Sequence, residues 1–256
     1  MPLFKIDQKL VYYAHVPKCG GSSIANYIRE RFGALGFHDN AYFKQAPAQR
    51  WTASSPQHVD AATLERLIPL SFFAAAFTIV RHPVERAVSI YHFQMELEKS
   101  IPEGTSFTDW LRGLAAMRAD SPFSCDNHTR PMCDIVPEGA TIFYMEHGLD
   151  ALVPWFDALA GTQNGQRTII TENIRGEYVK VDQDRVTPGP DDLDLIAEIY
   201  AADFKRFGYI IDAKEPEAPV PEISAAFMAQ RDRALAAAVS PLGRIKRKAM
   251  RKFRQM

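Results

Sequence analysis

Leu10 to Val16 (LVYYAHV) is an unbroken apolar run rich in β-formers that stops at Pro17, which predicts a buried strand. After a short loop, Pro17 to Gly21, the segment Ser22 to Phe32 places Ile24, Tyr27, Ile28 and Phe32 at helical spacing. The same order returns at Phe72 to Val80 (FFAAAFTIV). There an apolar strand ends at Arg81-His82-Pro83, and a helix is predicted from Val84 to Glu98 on Val84, Val88, Tyr91 and Met95. Pro83 suits a first helical position and Glu85 complements the helix dipole. Shorter strands are predicted at Thr141 to Met145 and Thr168 to Thr171. Further helices are predicted at Ala61 to Leu67, Phe107 to Met117, Leu149 to Ala160, Asp191 to Phe207 and Ile223 to Val239. Apolar strands alternating with helices imply an α/β fold, a mostly parallel central sheet covered on both faces.

Composition narrows the class. With 256 residues, 46% of them hydrophobic and 24% charged, the chain is neither disordered, collagen-like nor a disulfide-stapled mini-protein. Asp212 to Glu222 (DAKEPEAPVPE) reads as a linker, so the expected organisation is a main domain over 1–211, a linker over 212–222 and a helical segment with a basic end over 223–256. The net charge of -1 argues against nucleic acid as a partner. That average hides a split, because residues 243–256 hold seven Lys and Arg and no acidic group. Leu242, Ile245, Ala249, Phe253 and Met256 form one stripe of this tail. The pattern fits an interfacial helix in peripheral contact with an anionic membrane, and equally an unstructured solubilising terminus or a polyanion contact.

The three cysteines, Cys19, Cys125 and Cys133, lack CxxC or Cys/His metal spacing, so neither a metal centre nor a disulfide framework is expected. There is no leader pattern and no apolar run of membrane-spanning length, and the expected location is cytoplasmic.

The chemistry concentrates in His15-Val-Pro-Lys-Cys-Gly-Gly-Ser-Ser23. A helix start offers outward N–H groups and partial positive charge, two glycines let the backbone close around a tetrahedral anion, and Lys18 adds a full charge. Lys18 precedes both glycines, the reverse of a nucleotide-hydrolysing GxxxxGK[ST] loop, and no aspartate-bearing second strand completes a magnesium site. The alternative is a tight turn with Ser22 as a cap. In the second turn, Ile79-Val-Arg-His-Pro-Val-Glu-Arg-Ala-Val-Ser89, Arg81 leaves a strand end and Ser89 lies two turns along the helix. Both can reach one anion at the sheet edge, or Arg81 and Arg86 pair with carboxylates and Ser89 packs inside.

Together these turns resemble one family. HVPKCGGSS is similar to the 5′-phosphosulfate loop, and VRHPVERAVSIYHF to the 3′-phosphate motif, of sulfotransferases that use 3′-phosphoadenosine 5′-phosphosulfate (PAPS). The closest likeness is to the carbohydrate branch that includes heparan sulfate 2-O- and 6-O-sulfotransferases and bacterial relatives. It extends weakly to KRFGY, ending at Tyr209. The resemblance implies a P-loop-like three-layer fold, PAPS as donor without a metal, and a sugar or other hydroxyl as acceptor. It implies that Lys18 neutralises charge on the bridging oxygen, that residues Cys19, Gly20, Gly21, Ser22 and Ser23 hold the 5′-phosphate, and that Arg81 and Ser89 hold the 3′-phosphate. His58, in QHVDAATL between the motifs, corresponds to the family's base, and His38 with Asp39 beside it competes for that role. His15 reads as structural. Arg130, in Asn127-His-Thr-Arg, matches a segment of bacterial relatives and contacts donor or acceptor, or else forms an ion pair. A loop closing over the donor is implied near Asn173 and Arg175. His82 stands where aspartate is common and Cys19 where threonine is frequent. Cys19, beside Lys18 and a helix start, is read either as an oxidation-sensitive thiol of lowered pKa or as a small buried side chain. Two other classes fit less well: a kinase-like phosphotransferase, distinguished by magnesium dependence, and an inactive donor-binding scaffold, distinguished by tolerance of substitutions at Lys18 and His58.

Overall fold

A computed structural model describes residues 1–171, 185–240 and 243. Among them four strands form one open sheet in the order β1 (Leu3–Ile6), β2 (Lys9–Ala14), β3 (Ala75–Val80) and β4 (Thr141–Tyr144). β2, β3 and β4 run parallel, with Val11 opposite Ala75 and Phe77 opposite Thr141. β1 pairs antiparallel with β2 through the two-residue turn Asp7-Gln8, in which Asp7 takes φ +53.

Alternation along the strands decides what each face meets. Val11, Tyr13, Phe77, Ile79 and Phe143 pack against α1 (Gly21–Phe32) and against α6 (Leu152–Ala160), where Phe156 and Phe77 rings lie 5.4 Å apart. On the other face Tyr12, Ala14 and Ala76 meet Val59 and Leu64, the latter on α2 (Ala61–Leu67). A second body of apolar contacts joins α3 (Pro83–Glu96), α4 (Phe107–Asp120) and α7 (Pro190–Ile199). The expected α/β fold with a covered, mostly parallel sheet is the fold observed.

Three elements differ from expectation. No strand forms at Thr168 to Thr171, because Thr168 Oγ1 and Ile169 N donate to the Asp150 carboxylate, at 3.1 and 2.6 Å, instead of to a neighbouring strand. The helix predicted over Asp191 to Phe207 is two, α7 and α8 (Ala201–Phe207), broken at Tyr200, whose φ of −115° is not helical. The buried Tyr200 hydroxyl donates to Thr129 O at 3.1 Å. β3 starts at Ala75, preceded by a single turn, Leu70–Phe72, that leaves Phe72 exposed. Between β3 and β4 also lies the short α5 (Met132–Ile135), and α9 (Ala225–Val239) follows the Pro/Glu-rich stretch and buries Phe227 against the main core. The tail stripe and the Asn173 and Arg175 loop lie outside the described residues.

Candidate functional site

The two strand-to-helix turns open side by side at the carboxyl ends of β2 and β3, where open parallel sheets collect ligands. Lys18 and Gly20 both take left-handed backbone, φ +67 and +78, which wraps the loop tightly before α1 begins. Gly20 is the N-cap of that helix, and Ile24 N closes its first turn on Gly20 O at 3.2 Å. Ser22 is exposed and Ser23 buried. Lys18 Nζ sits 3.8 Å from the centroid of the Phe93 ring on α3. Burial first, then the Arg81 guanidinium, lowers its pKa from the usual lysine value to about 8.

Arg81 bridges the turns: its Nη1 donates to Lys18 O at 3.4 Å and its Nη2 to Glu85 at 3.2 Å. Glu85 also receives Arg185. Ser89, half-buried, follows Glu85 by one turn on the same face of α3. Arg86 departs from the carboxylate pairing entertained above. It is fully buried and donates to three carbonyls, Pro17 O at 3.2 Å, His128 O at 2.8 Å and Arg130 O at 2.9 Å. One guanidinium thereby fastens the first loop to the 128–130 segment.

The two departures from the family pattern acquire physical meaning. His82 caps α3: its Nδ1 accepts from Val84 N at 3.3 Å, the service an aspartate N-cap performs, while its Nε2 meets Ile210 O at 3.0 Å. Of the two readings of Cys19 the small buried side chain is the one observed, and the lowered thiol pKa is corrected. The side chain is fully buried, and desolvation of the thiolate outweighs Arg86 and Arg81 and pushes its pKa up to about 12.

Four imidazoles line up beside the loop. His15 stacks on Tyr13 with ring centroids 5.1 Å apart and lies 6.2 Å from His38 and 4.9 Å from His58, and His58 in turn lies 5.0 Å from His128. His15 presses its Nε2 against Gly21, leaving no space for a side chain there. Burial above all holds His15 and His128 well below the ordinary imidazole pKa, so both are neutral. His58, buried at the end of the turn Pro56–His58, has Nδ1 2.7 Å from Asp126 Oδ2. Asp126 also accepts from Ser55 Oγ at 2.6 Å. Although burial pushes the Asp126 carboxyl up, His58 and Ser55 hold it below the usual aspartate value. An ionised carboxylate only accepts, so in this contact His58 Nδ1 is the donor.

His38 is arranged differently. Arg29 Nη2 donates to its Nδ1 at 2.8 Å, and burial together with Arg29 lowers its pKa to about 4. Asp39 serves Ala41 N and Gln45 Nε2 and does not orient His38. Arg130 is in an ion pair, 3.0 Å from Asp60, the residue that caps α2 just after His58. Lys18, the glycine loop, Arg81 and the histidine row are thus brought together. The sequence reading assigned no role to Asp126, which reaches the site from 68 residues away, to Ser55, three residues before His58, or to Phe93, at the end of the second motif. His58, Asp126 and His128 offer one ligand atom each within 4.8 Å of one another, and two of these residues are already joined by the Nδ1–carboxylate hydrogen bond. Among the described residues no helix is long and apolar enough to cross a membrane.

Residues 2–210 match the model of the sulfotransferase family. No curated protein and no solved structure matches the chain.

Proposed function

The chain belongs to the sulfotransferase family, and on that premise we propose that it transfers a sulfuryl group from PAPS to a carbohydrate hydroxyl, with His58 as base. The observation that carries this reading is the junction of Lys18 and Arg81 at the ends of adjacent parallel strands, with the glycine loop opening α1 beside them. That donor set fits a nucleotide bearing anionic groups at two ends.

When bound, PAPS supplies an activated sulfuryl group on a phosphate leaving group. The first turn of α1 directs its N–H groups and dipole at the 5′-phosphate, with Gly20, Gly21, Ser22 and Ser23 forming the cradle. Lys18 neutralises charge that grows on the leaving phosphate, an interaction strengthened where the site is half-buried. Arg81 and Ser89 hold the 3′-phosphate, and Glu85 keeps the Arg81 fork extended before binding. His58 Nε2 accepts the acceptor proton. His38 is the weaker base, since its Nδ1 lone pair is taken by Arg29, and it and Arg130 flank the acceptor side. The basic tail gives the enzyme peripheral attachment to an anionic inner membrane surface.

Calorimetric titration tests the donor assignment. 3′-Phosphoadenosine 5′-phosphate (PAP) is expected to bind at least about tenfold, or 1.4 kcal/mol, more tightly than adenosine 5′-phosphate, and Arg81→Ala to erase that preference. Equal affinities in the wild type, or tighter magnesium-dependent binding of ATP, would overturn it.

A further inference from the structure

Asp126 lies 68 residues from His58 in the chain, yet its carboxylate meets the imidazole Nδ1 at 2.7 Å. The segment that presents it is strained in a distinctive way: Cys125, Asp126 and Asn127 are three consecutive non-glycine residues with left-handed backbone, φ +50, +54 and +60. A run of such conformations is unfavourable for residues other than glycine and persists where the surroundings over-determine it. Here the side chains of Asp126 and Asn127 both reach the turn that carries His58. Asn127 Nδ2 donates to His58 O at 2.8 Å, and Ser55 N and Oγ donate to the two oxygens of Asp126 at 2.5 and 2.6 Å. The turn is gripped at both ends, and the imidazole is fixed between.

We propose that Asp126 is a positioning residue that holds His58 in its Nδ1–H tautomer, with the Nε2 lone pair presented to the acceptor hydroxyl. The inference rests on the reading of His58 as base. In the transfer, His58 Nε2 takes the hydroxyl proton as the acceptor O–S bond forms; the donor S–O bond breaks and its electron pair leaves on the 5′-phosphate. His58 becomes an imidazolium, and the proton is later lost to solvent. The groups around His58 include the imidazoles of His15 and His128, both neutral, that of His38 farther along the row, the Ser55 hydroxyl 3.2 Å from Nδ1, and the Asp126 carboxylate. Among the described residues Asp126 is the one anion in hydrogen-bond contact with the transient cation. The arrangement parallels the aspartate–histidine pair of serine proteases, in which the aspartate fixes the tautomer without taking the proton.

Asp126→Asn is the informative substitution, because an asparagine amide donates to Nδ1 and forces the hydrogen onto Nε2. Imidazole nitrogen NMR at pH 8, with His58 assigned by its loss in His58→Gln, is expected to show wild-type His58 protonated at Nδ1 and the variant protonated at Nε2. With PAPS and desulfated heparin, kcat of Asp126→Asn is expected to fall about 10²- to 10⁴-fold while KM for PAPS stays within about threefold and PAP binding is retained. A wild-type His58 protonated at Nε2, or a variant whose tautomer and kcat are unchanged, would overturn the inference. If Asp126→Asn does not fold, the wild-type spectrum alone decides. Undiminished transfer by His58→Gln would instead remove His58 as base while leaving the Asp126-imposed tautomer standing, so the two failures are separable.

Discussion

Replacing Gly21 by alanine puts a methyl carbon 1.7 Å from His15 Nε2 and 2.5 and 2.6 Å from two ring carbons of the same imidazole. No rotation within that contact relieves it, so His15 must leave its place. It is boxed in by the Tyr13 ring, stacked at 5.1 Å and 17°, and by the edge contact with His58 at 4.9 Å. Forcing a group into a packed site costs about 1–3 kcal/mol, which for a domain of this size lowers Tm by about 2 to 12 °C. Because His15 touches His58, its displacement also misplaces the base, and a shift near 1 Å lowers kcat by about 10²-fold. Differential scanning calorimetry and steady-state kinetics read both effects. His15→Ala in the same chain removes the clash, so the double variant is expected to be more stable than the sum of the single losses by about 1 kcal/mol or more. Gly21→Ala within about 0.5 kcal/mol of wild type, with kcat intact, would refute the packing argument and the coupling of the glycine loop to the histidine row.

Three other predictions address separate parts of the site. With its pKa lowered to about 8, Lys18 loses its charge as pH rises through that value, so kcat/KM for PAPS should decline above about pH 8; Lys18→Arg should hold a plateau beyond pH 9. Arg86→Met leaves three carbonyls, two of them buried, without this donor, and urea unfolding should show a loss on the order of 3 kcal/mol or more. Deletion of residues 243–256 removes seven basic groups and should abolish sedimentation with anionic vesicles while leaving transfer to a soluble sugar unchanged.

The parts of the fold that could be read from the chain are those specified by contiguous residues. β2 with α1, and β3 with α3, carry apolar runs that switch period at a proline or glycine, and both turns fall where the pattern puts them. Leu3–Ile6 is not legible in the sequence because four residues with a two-residue Asp-Gln turn carry little hairpin signal, and its strand character comes from pairing with β2. Thr168 to Thr171 has strand composition, yet the Asp150 side chain claims its backbone donor. Tyr200 looks helical by spacing, but its hydroxyl is drawn to Thr129 and the helix breaks there. In the site, Lys18 and Arg81 stand out through local motif. Asp126 does not, because its partner lies 68 residues away and its approach depends on three left-handed residues without the glycines that announce such backbone. The elevated Cys19 pKa is likewise a matter of burial, which outweighs the nearby cations only once the loop is packed.

The most direct measurement is transfer of ³⁵S from labelled PAPS to a panel of unsulfated carbohydrates, run in parallel on wild type and His58→Ala with PAP affinity recorded for each. The account predicts O-sulfated product from the wild type without added divalent metal, none from His58→Ala, and PAP affinity within a few fold for the two proteins. Label transfer by His58→Ala at the wild-type rate, or a wild type that binds PAP yet transfers label to no hydroxyl acceptor, would contradict it.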